Sequence, residues 1–235
     1  MTKPPHYGDI ESMTDKLKND VIFVNVNGCL DWISPDTQLN CINRLNKTIK
    51  VHNYLSHLGL RSYRLNPIDG DITYIPFFNV NPNSSLYTYQ TFILFELYNL
   101  LEKYNINYTH LITYQHDGFV TNVDMWSDEF LNYDYIGHKT SAQLIMNSGF
   151  SIRTKSLLKT IVDTLTLNEY ELYVQQNGHG NDDVIYHDMG FVKEIPPQDV
   201  IDRFVSFEPS NTSFGFHTNQ GMDFDYATSL WKHTK

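Results

Sequence analysis

The sequence predicts one α/β domain with a mixed central sheet and helices on both faces. Two short apolar runs, DVIFVNVN at 20–27 and HLITY at 110–114, have the β-rich character of strands buried on both faces. Stretches with apolar residues at helical spacing lie between them, over 36–58 and 87–103. No linker, internal repeat or low-complexity tract divides the 235 residues, a length that suits one large α/β domain.

Taken in order, the first strand closes at Gly28, and Pro35 opens the helix expected over 36–58, with Leu39, Ile42, Leu45 and Ile49 on one face. Short strands follow at 60–65 and 72–76, then a Pro/Asn-rich turn at 79–85. Residues 87–103 (YTYQTFILFELYNLLEK) form the clearest helix. After HLITY come a helical turn at 126–131 and a strand at 133–137. Residues 147–153 read as a loop entering a strand, 156–167 as a helix, and 178–183 as a polar loop opening a helix over 184–189. Strand-like pieces occupy 202–217, and 218–235 is a peripheral tail. The domain is expected to divide into a first half over about 20–118 and a second over about 119–217.

Composition narrows the function classes. Hydrophobic residues at 41% and charged residues at 19% exclude a disordered chain. The 16 Tyr and 14 Phe suit ring stacking, but most are expected to fill the core. A net charge of -10 argues against a broad grip on nucleic acid or an anionic membrane. Cys29 and Cys41 are too few for a disulfide framework or a zinc site. The polar amino terminus lacks the apolar centre of a signal peptide, and no run of about twenty apolar residues could span a bilayer. A soluble, cytoplasmic protein is expected (host cytoplasm if the Asn-, Tyr- and Ile-rich composition reflects a viral genome).

The chemistry gathers in polar islands. HLITY stops at Gln115-His116-Asp117-Gly118, and α/β sheets bind ligands at the carboxyl ends of their strands. A carboxylate and an imidazole delivered there suit a divalent cation holding a phosphate; a plain Asp-Gly turn is the other reading. Asn147-Ser148-Gly149 has the small residues of a backbone that approaches a ligand closely. Arg153 offers a charge for a carboxylate or diphosphate, or a surface pair with Asp134. Asn181-Asp182-Asp183 suits a helix cap or a proton acceptor, and adjacent carboxylates raise at least one pKa towards neutrality. There is no GxGxxG after the first strand and no Walker loop.

In order, QHDGF, DYIG at 134–137, NSGFSIR at 147–153, NDDV at 181–184 and SFGFH at 213–217 resemble the GT-A nucleotide-sugar glycosyltransferases. More narrowly, they resemble a small family marked by a Gln-x-Asp-Gly strand end, DYIG, NGGFSLR, an acidic pair and FGFH. Over 111–217 the likeness is one of motifs; over the first hundred residues it is one of topology. It implies a GT-A (Rossmann-like) domain that moves a sugar from a nucleotide-sugar to an acceptor hydroxyl with Mn²⁺ or Mg²⁺. It further implies Asp117 and His217 as metal ligands, with Gln115 standing where an Asp-x-Asp pattern has its first acid. His116, Gly118, Ser148 and Gly149 then face the donor, with Asn27 and Arg64 near the nucleotide base. Asn147, Arg153, Asn181 and Glu208 face the acceptor. Asp183 is the implied base, and Asp182 caps the helix or holds the acceptor.

A saccharide acceptor is the first expectation. A second is a phage enzyme acting on hydroxymethylated bases in DNA, with Lys139, Arg153, Lys155 and Lys159 lining a groove. A third, kept open by Gln115, is a carbohydrate- or nucleotide-binding module without catalysis.

Overall fold

The computed structural model describes residues 21–27, 51–55, 72–76, 90–103, 105–114, 118, 120, 122–139 and 145–218. In the first three stretches it describes little beyond the backbone. The expected strand at 60–65, the turn at 79–85 and the tail from 219 onward lie outside the described residues, as does the expected helix up to residue 50.

Among the described residues the centre of the molecule is a six-stranded mixed sheet in the order β3-β2-β1-β4-β6-β5. β1 (Val21–Asn27) runs parallel to β2 (Val51–Leu55) and to β4 (His110–Tyr114), and β3 (Ile72–Pro76) runs parallel to β2. β6 (Asn147–Thr154) is antiparallel to β4 on one side and to β5 (Tyr135–His138) on the other. All five residues of β4 are buried, as its charge-free run requires of a strand with neighbours on both edges. β4 and β6 pair directly, so the two expected halves share one sheet.

Helices cover both faces of β6. Alternation along a strand sends Phe150 and Arg153 to opposite sides. Phe150 packs against Phe204 of α5 (Gln198–Phe204) and against Phe214. Arg153 lies over the rings of Tyr135 and of Tyr186 in α4 (Asp182–Asp188). Phe92, Ile93 and Leu94 of a π-helical turn, Phe92–Glu96, are buried together with Leu97 and Leu101 of α1 (Leu97–Lys103), and both segments pack on α2 (Lys155–Thr164). A small sheet pairs β7 (Val205–Ser206) in parallel with β8 (Gly215–Phe216). Most described aromatic side chains are core residues: Trp126, Phe130, Phe204 and Phe214 meet edge to face or stacked.

Several expectations are corrected. The carboxyl end of the helix expected over 36–58 is instead strand β2, because VHNYL finds partners in β1 and β3 that local spacing does not reveal. Residues 147–153 are strand throughout, not a loop. The helix expected over 156–167 ends at Thr164, and a further helix, α3 (Leu167–Asn177), begins after Thr166. Thr166 accepts the Glu169 amide while Glu169 Oε2 accepts the Thr166 amide at 2.8 Å, a reciprocal cap that forces the new start. Residues 202–204, expected in a strand, finish α5.

Candidate functional site

The carboxyl edge of β4 is where the chain assembles its polar groups. Tyr114 of β4 pairs with Phe150, so β6 begins three residues beyond that edge, at Asn147. There β6 bulges: Gly137 of β5 faces Ser151, yet His138 faces Asn147. The Asn147 side chain takes the Gly149 amide at 2.9 Å, and the Ser148 carbonyl takes the Ser151 hydroxyl at 2.8 Å. The distortion turns Ser148 towards the same helix that Arg153 meets.

That helix is α4, and its first residue, Asp182, is fully buried. Arg153 Nη2 donates to Asp182 Oδ2 at 2.9 Å, and Ser148 Oγ donates to Oδ1 at 2.9 Å. The remaining guanidinium donors reach the Tyr186 hydroxyl at 3.2 Å and Thr113 Oγ1. Gln90, just before the π-helical turn, accepts the Asp182 amide through Oε1 at 2.6 Å. Thus Gln90, from a distant part of the chain, serves the helix end that Asp182 was expected to cap, and Asp182 is itself the first helical residue; the Asn181 side chain makes no capping bond. Arg153 is not paired with Asp134, which instead takes the hydroxyl and amide of Thr154. With no exposed surface, Arg153 lies beneath the site rather than facing an acceptor.

Asp183 differs from its neighbour in one decisive respect: it retains 8% exposure where Asp182 has 0%. Burial pushes its pKa up to about 7, and the Asp182 charge adds to the rise. The amide of Val184, donating at 2.9 Å, the Arg153 charge and the Ser148 amide oppose it.

His217 arrives from the other side. An antiparallel bridge joins Val120 to Gly215, and the Asn122 amide donates to the Phe214 carbonyl at 3.1 Å. Continuing that register by two residues sets Gly118 opposite His217. The contacts agree, since a Cβ on Gly118 would stand 3.1 Å from His217 Cδ2. A Cβ on Gly149 would land on the imidazole itself, so the ring occupies space that only glycine leaves open. The His217 amide is tied to the Ser206 carbonyl at 3.0 Å, and the ring is 5% exposed. Phe214, just before β8, and Phe216, its last residue, are fully buried.

Of the residues singled out in the sequence, Gly118, Ser148, Gly149, Asp182, Asp183 and His217 therefore converge, with Arg153 below them. Asn147 and Asn181 stand partly exposed at the margin, and Glu208 is exposed on the turn after β7. Gln115, His116, Asp117 and Arg64 lie outside the described residues, as does the side chain of Asn27. Among the described residues no three His, Cys, Asp or Glu side chains gather as a metal site. Lys155 and Lys159 follow the far end of β6 and are paired with Glu102 and Asp163, so they do not line this edge. Gln90, Thr113 and Tyr186 carry no sequence signal of their roles, because each acts through a contact distant in the chain.

A family model described as "Protein of unknown function (DUF5672)" matches residues 75–221, more than half of the chain. The chain belongs to that family. The matched segment contains every residue of the convergence just described. No curated protein matches the chain. Among solved structures, the crystal structure of Rv0371c from Mycobacterium tuberculosis H37Rv is similar at 8% identity and a TM-score of 0.33, covering 76% of this chain and 100% of that one. A likeness so distant carries no argument about the site. For this DUF5672 member, the chemistry has to be read from the residues themselves.

Proposed function

We propose that the protein is a metal-dependent GT-A glycosyltransferase that moves a sugar from a nucleotide-sugar to the hydroxyl of a saccharide acceptor. The observation that carries this reading is Asp183: a nearly buried carboxylate, held by the amides of Val184 and Ser148, with a pKa of about 7. A general base works best when its pKa lies near the operating pH. The acceptor oxygen attacks the anomeric carbon, its proton passes to the Asp183 carboxylate, and the bond from that carbon to the phosphate oxygen breaks. The bonding electron pair leaves with the nucleoside diphosphate, and the anomeric configuration inverts. Asp182 stays paired with Arg153 and Ser148, which fixes the first turn of α4 and so the direction of Asp183.

His217, seated in the glycine cradle, would offer the imidazole, and Asp117 and Gln115, which the motif resemblance assigns to the metal, would be the oxygen donors. That donor set suits Mn²⁺ or Mg²⁺. A divalent cation there would offset the charge that develops on the departing diphosphate. Gly118, Ser148 and Gly149 let the backbone approach the donor.

The test is release of nucleoside diphosphate from a panel of nucleotide-sugars by the purified chain with Mn²⁺. Metal-dependent release from at least one donor is expected. Neither binding nor hydrolysis of any donor would end the reading.

A further inference from the structure

We infer that Phe207, with His138 and Glu208, forms the acceptor platform of this site, and that it takes a neutral saccharide ring. The inference rests on the glycosyltransferase reading for its role as an acceptor site. The placement follows from contacts already described. Ser206 holds the His217 amide through its carbonyl, so Phe207 is the next residue out from the imidazole. His138 faces Asn147 across the bulge, two residues from the glycine on which His217 lies. The rings of His138 and Phe207 stand 5.5 Å apart and tilted by 41°. Two aromatic faces therefore border the site on its β5 side, and Phe207 is 39% exposed.

The turn that presents Phe207 is fixed rather than loose. Ser206 Oγ donates to the Glu208 carbonyl at 2.6 Å and lies 2.7 Å from Ser213 Oγ, while Ser213 donates to the Gly215 carbonyl at 2.9 Å. β7 and β8 pair on either side of these bonds. A ring held in place by such a turn loses little freedom when a ligand stacks on it. Glu208, the next residue in the chain, is exposed as well.

An apolar face next to a free carboxylate is the chemistry of a sugar ring. Its C–H face covers the aromatic ring, and its hydroxyls donate to the carboxylate. The same pair disfavours a polyanion, because Glu208 adds negative charge to a chain already at -10. Lys139, which follows His138, is the cation adjacent to the platform in sequence.

The experiment is saturation-transfer NMR on the full chain with Mg²⁺, using methyl glucoside, N-acetylglucosamine, lactose and maltose as probes. Wild type, Phe207→Ala, Phe207→Trp and Glu208→Gln are compared, and nucleotide-sugar hydrolysis is measured on the same preparations. At least one probe is expected to bind wild type. Phe207→Ala should weaken it roughly three- to tenfold, the range of an aromatic contact, and Phe207→Trp should preserve it. Donor hydrolysis by wild type reports on the catalytic reading separately from probe binding, and the thermal midpoint of Phe207→Ala shows whether that variant is folded. Equal binding by wild type and Phe207→Ala would overturn the platform, as would failure of every probe to bind wild type. Either result with donor hydrolysis intact leaves the glycosyltransferase reading standing. Phe207-dependent binding with neither binding nor hydrolysis of any donor upholds the platform as a saccharide site and removes the catalytic reading.

Discussion

Asp182 and Asp183 are chemically identical neighbours, and the fold separates them by what each meets. One is wholly engaged by Arg153 and Ser148; the other, nearly buried, keeps 8% of its surface exposed. The acidic pair is legible in the sequence, and the role of Asp183 as base is part of the proposal above. The pairing of Asp182 with Arg153 is not legible there, because a side chain's partner is fixed by the pairing of distant elements. Asp183→Asn is expected to retain donor affinity while turnover falls by at least about a hundredfold, the usual contribution of a positioned base. Calorimetry with donor, set beside kcat, checks that split. In wild type, activity should rise with pH through about 7 as Asp183 loses its proton. Stability should move the other way. Its folded pKa lies above the ordinary aspartate value of 3.8, so the folded state binds the extra proton between those values and stability falls as pH rises from about 4 to about 7. Urea midpoints at pH 5 and pH 8 should therefore differ more in wild type than in Asp183→Asn. Gly149→Ala tests the cradle: its methyl must displace the His217 ring, so Mn²⁺-dependent donor binding should be lost. The overpacking itself should cost about 1–3 kcal/mol in chemical denaturation.

Elements were readable where the local pattern and the tertiary environment agree. HLITY became a buried central strand, and 90–103 became helical, because each run carries its own period. VHNYL was misread because its surroundings share a helical spacing, while its strand state comes from β1 and β3 on either side. α3 was passed over for a different reason. Tyr170 is its one buried residue, so there is almost no apolar stripe to detect. The signal that was present is the Thr166-x-x-Glu169 box, which alone marks a helix start. Thr166→Ala should therefore destabilise the protein by about 1 kcal/mol, the usual worth of an N-cap. Donor hydrolysis at saturating substrate should not change, since α3 contributes no side chain to the convergence. A thermal melt together with an initial-rate assay decides it. A large loss of activity with unchanged melting would mean that α3 supports the site directly.

Charge is the property that acts at the scale of the whole molecule, and it bears on the choice between a saccharide and a DNA acceptor. The polar islands announced a site at the sheet edge, yet the grouping of Lys139, Arg153, Lys155 and Lys159 in sequence suggested a basic groove that the fold does not assemble. Arg153 is buried against Asp182. Lys155 is paired with Glu102 at 2.5 Å and lies over the Tyr108 ring, and Lys159 is paired with Asp163. β6 is eight residues long, and at about 3.3 Å per residue it holds Lys155 more than 20 Å from the 147–149 end. Only Lys139 stays close, next to His138. A duplex needs several phosphate contacts to hold, and each released counterion makes binding steeper in salt. With a net charge of -10 and Arg153, Lys155 and Lys159 engaged elsewhere, the chain is expected to give no shift of a hydroxymethylated duplex in a band-shift titration, even at low salt. A complex that forms at low salt and dissolves as salt is raised would instead show a phosphate-binding surface, and would move the acceptor from saccharide to DNA.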